Sequence, residues 1–174
     1  SWLRSAAPYV HLHHGRTFVI SFAGEVVADR TLLNHLVMDV SLIASMGMRV
    51  VLVHGSRPQI EELMSLRKLE GQFYKGVRIT GPQELECVKE ACGETRFDIE
   101  AAFSQGLPNT PMQHSRIKVG SGTFVTARPM GIIDGVDYLH TGVVRKVDAE
   151  SIQDLLSRGN IVLVSPTGFS PTGE

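Results

Sequence analysis

The chain has 174 residues, 43% of them hydrophobic and 20% charged, with a formal net charge of −1 at pH 7. That is enough apolar chain for a domain with a real core, and its charge is too balanced for a nucleic-acid or anionic-membrane surface, with no basic run longer than Arg145-Lys146. No apolar stretch approaches the roughly 20 residues of a membrane span, and the opening SWLRSAAPYV is too short and too polar for a signal peptide.

The first segment repeats Trp2, Leu3, Ala6, Tyr9 and Val10 at helical spacing, which predicts an amphipathic helix within 1–16 whose apolar stripe wants a partner surface. His11, His13 and His14 crowd its end, where imidazoles complement the helix dipole. Two imidazoles on one face without a nearby Cys or carboxylate make a poor metal site.

TFVISF (17–22), β-branched and aromatic, reads as a buried strand ending at Gly24. Residues 30–47 place Leu32, Leu36, Val40, Ile43 and Met46 on one helical stripe closed by Gly47. RVVLVH (49–54) is again an apolar strand, and Pro58 suits the first turn of a helix running to about Leu69. Strand, helix, strand, helix, with near-continuous apolar strands, is the pattern of a parallel sheet covered on both faces.

QFYKGVRIT reads as a short extended pair, followed by a helix from near Pro82 to about Ser104. That helix carries Cys87 and Cys92, whose spacing of five puts them on different faces and forms no C-x-x-C motif. They read as two reduced thiols in a cytosolic protein. SRIKVGSGTFVTARP (115–129) reads as a hairpin around Gly120-Ser121-Gly122, and VDYLHTGVVRKV adds one or two strands. Asp134, Asp137 and Asp148 have the spacing of turn and cap residues, with Asp148 starting a helix that ends at Gly159 before the buried strand NIVLVSP. The tail SPTGFSPTGE has the composition of a connection to something further on, and the chain, without an initiating Met, reads as a fragment.

RVVLVHGSRPQIEEL (49–63) is the strongest candidate site. Free backbone N–H groups and the dipole at a helix start attract phosphate or carboxylate, and Gly55 lets the backbone approach a ligand. The spacing is neither a Walker phosphate loop nor a G-x-G-x-x-G fingerprint. Arg57 reads either as an anion contact or as a surface partner of Glu61, one turn on. Among the other hydroxyl-bearing stretches, SGTF (121–124) and TGVVRKVD (141–148) offer no paired general base, and no Ser-His-Asp arrangement stands out.

VISFAGEVV, LVHGSRPQI, GVRIT, DGVDYLHTGVVRKVD and GNIVLVSPTGFSPTGE occur in the order seen in the amino acid kinase family, nearest its acetylglutamate kinase branch. With its opening segment, the chain resembles most the kinase-like domain of bacterial enzymes that acetylate glutamate. The resemblance implies a three-layer αβα sandwich of the amino acid kinase (carbamate-kinase-like) type, mainly parallel with an antiparallel hairpin insertion. Residues 1–16 would be the N-terminal helix and 17–174 the substrate-side portion of that domain, with the nucleotide-side lobe and an acetyltransferase domain lying beyond the chain.

The departures from the kinase pattern matter most. The resemblance places a Lys at the end of the first strand of the kinases, where it stabilises the transferring phosphoryl group; here Ser21 stands in that place and Ala23 replaces one Gly before Gly24. Ser56 and Arg57 replace glycines after Gly55. Losing a fixed cation there costs several kcal/mol of barrier, on the order of 10²–10³ or more in rate. Arg78 matches a kinase Arg that grips a substrate carboxylate, for which a guanidinium fork is suited; the alternative is a surface Arg on an edge strand. The N-terminal helix, with Tyr9, links subunits and borders an arginine site in arginine-sensitive relatives. Gly24, Gly55, Ser56, Arg57, Arg78 and Tyr9 are thus the candidate substrate- or effector-binding residues, with no catalytic or metal residue in this segment. The implied parent is a cytoplasmic, homo-oligomeric amino-acid N-acetyltransferase that uses acetyl-CoA and L-glutamate, with L-arginine as effector of either sign. A working acetylglutamate kinase and a purely structural oligomerisation module are the alternatives.

Overall fold

The computed structural model describes residues 2–106, 108, 110, 113 and 117–173. The predicted hairpin begins at 115–116, outside the described residues.

Helix α1 (Trp2–His13) buries none of its residues, and Trp2, Leu3, Tyr9 and Leu12 are exposed. At its end the His13 ring meets Phe18 edge-on at 5.6 Å and His14 Nδ1 lies 3.3 Å from the Met46 carbonyl. Strand β1 (Thr17–Phe22) is not buried throughout, as its composition suggested. It alternates, with Val19 68% exposed, because it forms the edge of the sheet and only its Phe18, Ile20 and Phe22 face is covered.

Helix α2 (Gly24–Ala28) is one short turn and leads into α3 (Arg30–Ser45), whose first N–H groups are capped by Asp29 Oδ1 at 2.8 and 3.2 Å from Thr31 N and Leu32 N. The buried residues of α3 are Leu33, Val37, Val40 and Ser41; of the predicted stripe Val40 is buried and Leu36 and Ile43 pack against the core, whereas Leu32 is exposed. Apolar residues ring most of this helix, so a 3.6-residue period leaves the phase of the stripe open and the sheet beneath selects it. Strand β2 (Arg49–His54) follows, then α4 (Arg57–Leu66) with Pro58 in its first turn. It ends before Leu69, where Lys68 at φ 56° turns the chain and the Leu69 N–H returns to the Met64 carbonyl at 2.9 Å.

The expected extended pair is a hairpin of β3 (Gln72–Tyr74) and β4 (Val77–Ile79), turned by Lys75 and Gly76, both at positive φ. In α5 (Pro82–Gln105) the two cysteines are free. Although five residues apart, both are buried in one cluster with Ile60 and Met64 of α4, because α4 and neighbouring elements cover a wide face of α5.

The predicted hairpin of 115–129 does not form. Strand β5 (Lys118–Ser121) pairs in parallel within the main sheet, whereas β6 (Val125–Pro129) leaves it. The antiparallel partner of β6 is β9 (Gly142–Val147), with the small hairpin β7 (Ile132–Ile133) and β8 (Val136–Asp137) inserted between them and turned at Asp134-Gly135. Helix α6 (Ala149–Ser157) is capped by Asp148, which accepts from Ser151 N at 3.0 Å, and β10 (Asn160–Val164) returns to the centre.

The main sheet has the order β1-β2-β10-β5 and every pairing is parallel. On one face Leu52, Ile161 and Leu163 pack under Leu33, Val37 and Val40 of α3 and Ile99 and Phe103 of α5. On the other, Val51 and Val162 pack against Leu156 of α6 and against Phe124, just before β6. The result is a three-layer αβα sandwich with an antiparallel insertion. Among the described residues no helix is long and apolar enough to cross a membrane.

Candidate functional site

In an open parallel sheet, ligands bind beyond the carboxyl ends of the strands. Here those ends deliver Ser21 to Gly24 after β1, His54 to Arg57 after β2, Ser165 to Gly168 after β10 and Ser121 to Phe124 after β5.

The first two turns are pressed together. Gly55 N–H donates to the Phe22 carbonyl at 2.8 Å, and a Cβ on Gly55 would lie 3.1 Å from Gly24 N. From α4 the Gln59 amide donates to the Gly24 carbonyl at 2.8 Å, while a Cβ on Gly24 would meet Gln59 Oε1 at 2.5 Å and Pro58 Cδ at 2.9 Å. Gln59 Oε1 itself is buried with no hydrogen-bond partner. Glycine is needed at both positions for close approach, but the approach is to the protein's own atoms.

Ser56 sits at the N-cap of α4 without capping it. Its hydroxyl turns inward, 3.3 Å from His54 Nδ1. His54 is 2% exposed, with Nδ1 3.0 Å from the Gly55 carbonyl and Nε2 2.8 Å from Ser165 Oγ. A carbonyl can only accept, so the ring proton belongs on Nδ1, Nε2 carries a lone pair, and the Ser165 hydroxyl donates to it. Burial holds the imidazole below its ordinary range, the Gly55 carbonyl works against that, and the charge of Arg96 adds to the depression. Burial likewise pushes the Cys92 thiol up despite its contact with the Ser56 hydroxyl, which leaves it unreactive.

Arg57 and Arg78 lie on the outer flank. Arg57 Nε pairs with Glu61 Oε1 at 2.9 Å, and Arg78 Nη2 approaches the same oxygen at 3.7 Å. Both guanidinium groups stand over the Phe73 ring, at 5.5 and 4.7 Å, and Arg78 Nη1 reaches Met64 Sδ at 3.2 Å. Arg78 is therefore no loose edge-strand side chain: it is 14% exposed and wedged between α4 and β3. Its backbone is fixed as well, since the Thr141 hydroxyl donates to the Arg78 carbonyl and shares a hydrogen bond with Thr80 Oγ1 at 2.8 Å.

Gly24, Gly55, Ser56 and Arg57 are thus brought together, and Arg78 joins them through Glu61 and Phe73. Tyr9 is apart from them on α1. Among the described residues no group of His, Cys, Asp and Glu is placed to hold a metal ion.

Two cavities open beside Ser165. One of ≈ 420 Å³ lies between the ends of β2 and β10, the start of α5 and β9, lined by six valines with Thr80, His140 and Thr141 among others. The other, of ≈ 120 Å³, lies under α5 and is lined by Arg96, Ser121, Gly122, Thr123 and Thr167 among others. They share Val125, Val164, Ser165 and Thr167. Sequence reasoning missed His54, Arg96, Glu100 and Ser165, and weighed the Ser121 hydroxyl without finding its partner Glu100. The available signal was a polar residue at the carboxyl end of each of three parallel strands.

The parallel sandwich, the glycine turns after its first two strands and the antiparallel insertion define the class. Residues 16–174 match the amino acid kinase family, and the chain belongs to it. It is 60% identical over 173 residues to an amino-acid acetyltransferase of Ralstonia nicotianae, covering 99% of this chain and 38% of that protein. A crystal structure of N-acetylglutamate synthase from Neisseria gonorrhoeae, complexed with coenzyme A and L-arginine, superimposes with a TM-score of 0.85 at 33% identity, covering 99% of this chain and 40% of the other. A carbamate kinase from Giardia lamblia bound to AMP-PNP shares the fold, with a TM-score of 0.61 at 13% identity over 90% of this chain and 58% of its own. The chain spans about two fifths of the length of the curated relatives it matches.

Proposed function

We propose that this chain is the N-terminal, substrate-side part of the kinase-like domain of a cytoplasmic amino-acid N-acetyltransferase, one that forms N-acetyl-L-glutamate from acetyl-CoA and L-glutamate. The 60% identity to an amino-acid acetyltransferase along 99% of the chain is the observation that carries this reading. The acetyl transfer, an attack of the glutamate amine on the thioester, belongs to a domain beyond residue 174, and acetyl-CoA is bound there.

In this reading the segment transfers no phosphoryl group. Phosphoryl transfer depends on a cation held at the reacting phosphate. Beside Gly24 stand Ser21 and Ala23, and the Gln59 amide occupies the inner side of the turn. The role left to the fold is feedback sensing of L-arginine and assembly of a homo-oligomer. Arg57 and Arg78 form a carboxylate-facing rim backed by Gly24, Gly55 and Ser56, and Tyr9 belongs to the subunit contacts of α1. The solved relative that holds coenzyme A and L-arginine supports an arginine-responsive parent.

The test is an acetyl-transfer assay on the full-length protein with L-arginine titrated in. Acetylglutamate formation that responds to arginine, with no ADP released from ATP and acetylglutamate, is the expected result. Acetylglutamate-dependent ADP release would return the chain to the working kinases. Acetyl transfer indifferent to arginine, with a flat calorimetric trace, would leave it an assembly module.

A further inference from the structure

The cavity of ≈ 120 Å³ under α5 has a polarity that the sensing role does not use. Its two strand-end serines have both given their protons away. The Ser121 hydroxyl donates to Glu100 Oε1 at 2.6 Å, since a carboxylate can only accept. The Ser165 hydroxyl donates to His54 Nε2 at 2.8 Å, because the His54 ring proton is committed to the Gly55 carbonyl. Both oxygens therefore offer only lone pairs to a ligand, with the Glu100 carboxylate behind one of them. Arg96, on the same helix one turn before Glu100, supplies the opposite charge. Its ion pair with Glu100 is long, 3.7 Å through Nε, and the side chain is 49% exposed at the cavity wall.

A bare anion would meet Arg96 but be repelled by the acceptors beside it. A simple cation would suit the acceptors but be repelled by Arg96. A molecule carrying both charges a few ångströms apart satisfies both ends. We propose that this cavity binds the headgroup of a free α-amino acid, its ammonium on Ser121 Oγ and Ser165 Oγ, with the Glu100 carboxylate behind Ser121 Oγ, and its carboxylate on the Arg96 guanidinium. His54 acts as a positioning residue, since it fixes which way the Ser165 hydroxyl points. The volume admits little more than the headgroup. The side chain passes Ser165 into the neighbouring ≈ 420 Å³ cavity, where Val53, Val88, Val125, Val144 and Val164 favour an apolar one such as that of alanine or valine. Nothing in this depends on the acetyltransferase reading, which survives if the site fails.

The experiment is an NMR titration of the ¹⁵N-labelled protein with L-valine, L-alanine, acetate and methylammonium. Valine and alanine are expected to shift the Gly122 and Ser165 amides saturably, with dissociation constants of about 1 mM. Acetate alone and methylammonium alone should bind at least about tenfold more weakly, each lacking one charge-assisted contact. The variant Arg96→Gln, at a half-exposed position the fold tolerates, should weaken valine binding by about tenfold or more. Ser121→Ala, which removes one acceptor, should weaken it several-fold. Absence of saturable shifts with either amino acid would overturn the proposal, as would acetate binding as tightly as valine or undiminished valine binding in Arg96→Gln.

Discussion

The turns after β1 and β2 and the strand ends around Ser165 lie side by side on the same edge of the sheet, yet they are built oppositely. At the first, two glycines bring backbone against backbone and Gln59 fills what is left, so the turn is occupied by the protein itself. At the second, three strand ends close in polar side chains, His54 bonded to Ser165 and Ser121 to Glu100 of α5, and leave two cavities beside Ser165. The contrast teaches that a glycine turn is not in itself a phosphate site. What counts is whether its N–H groups face space or protein, and which charges stand beside it.

The largest expected effect is at the second region. His54→Ala leaves Ser165 and the Gly55 carbonyl without their partner and opens a cavity, and should lower the unfolding free energy by about 3 kcal/mol in urea denaturation. A loss below about 1 kcal/mol would mean the hydrogen-bonded chain contributes little to the fold. The same residue sets a pH dependence. Its folded-state pKa lies below the unfolded value of 6.5, so as pH falls below that value the unfolded chain takes up a proton that the folded protein resists. Stability should therefore drop as pH falls through and below 6.5, with no contribution from His54 above it, and His54→Gln should flatten that slope.

Next comes Gly24→Ala, which drives a methyl group against Gln59 and the backbone of Ser56 and should cost about 1–3 kcal/mol. The double variant with Gln59→Ala sharpens the comparison. It should recover only part of the loss, since Pro58 Cδ at 2.9 Å and Ser56 Cα at 3.0 Å remain. Full recovery would mean that Gln59 alone closes the turn. Smaller still is Arg78→Ala, which strips a guanidinium from Phe73 and Met64 and should cost about 1 kcal/mol. Arg57→Ala, at an exposed i,i+4 pair, should leave the melting temperature unchanged, and a clear drop would show that Arg57 is as fixed as Arg78.

Much of the fold was legible because it is written locally. The Asp148 cap, the Pro58 helix start and the apolar runs of β2 and β10 each declare themselves within a few residues. The fate of 115–129 was not, because Gly120-Ser121-Gly122 looks like a hairpin turn while its strands belong to different sheets with partners far along the chain. Of the candidate site, the glycine turns could be read, but the packing of Gln59 against Gly24 spans 35 residues and the His54–Ser165 bond spans 111. No periodicity records contacts of that range.

We infer that the space between the first two turns is closed to the phosphates of a nucleotide. Titrating the full-length protein with magnesium and a non-hydrolysable ATP analogue, by calorimetry and by amide shifts, tests it directly. A flat isotherm with the Gly24 and Gly55 amides unmoved is the expected result. A saturable isotherm in which those two amides shift together would contradict it.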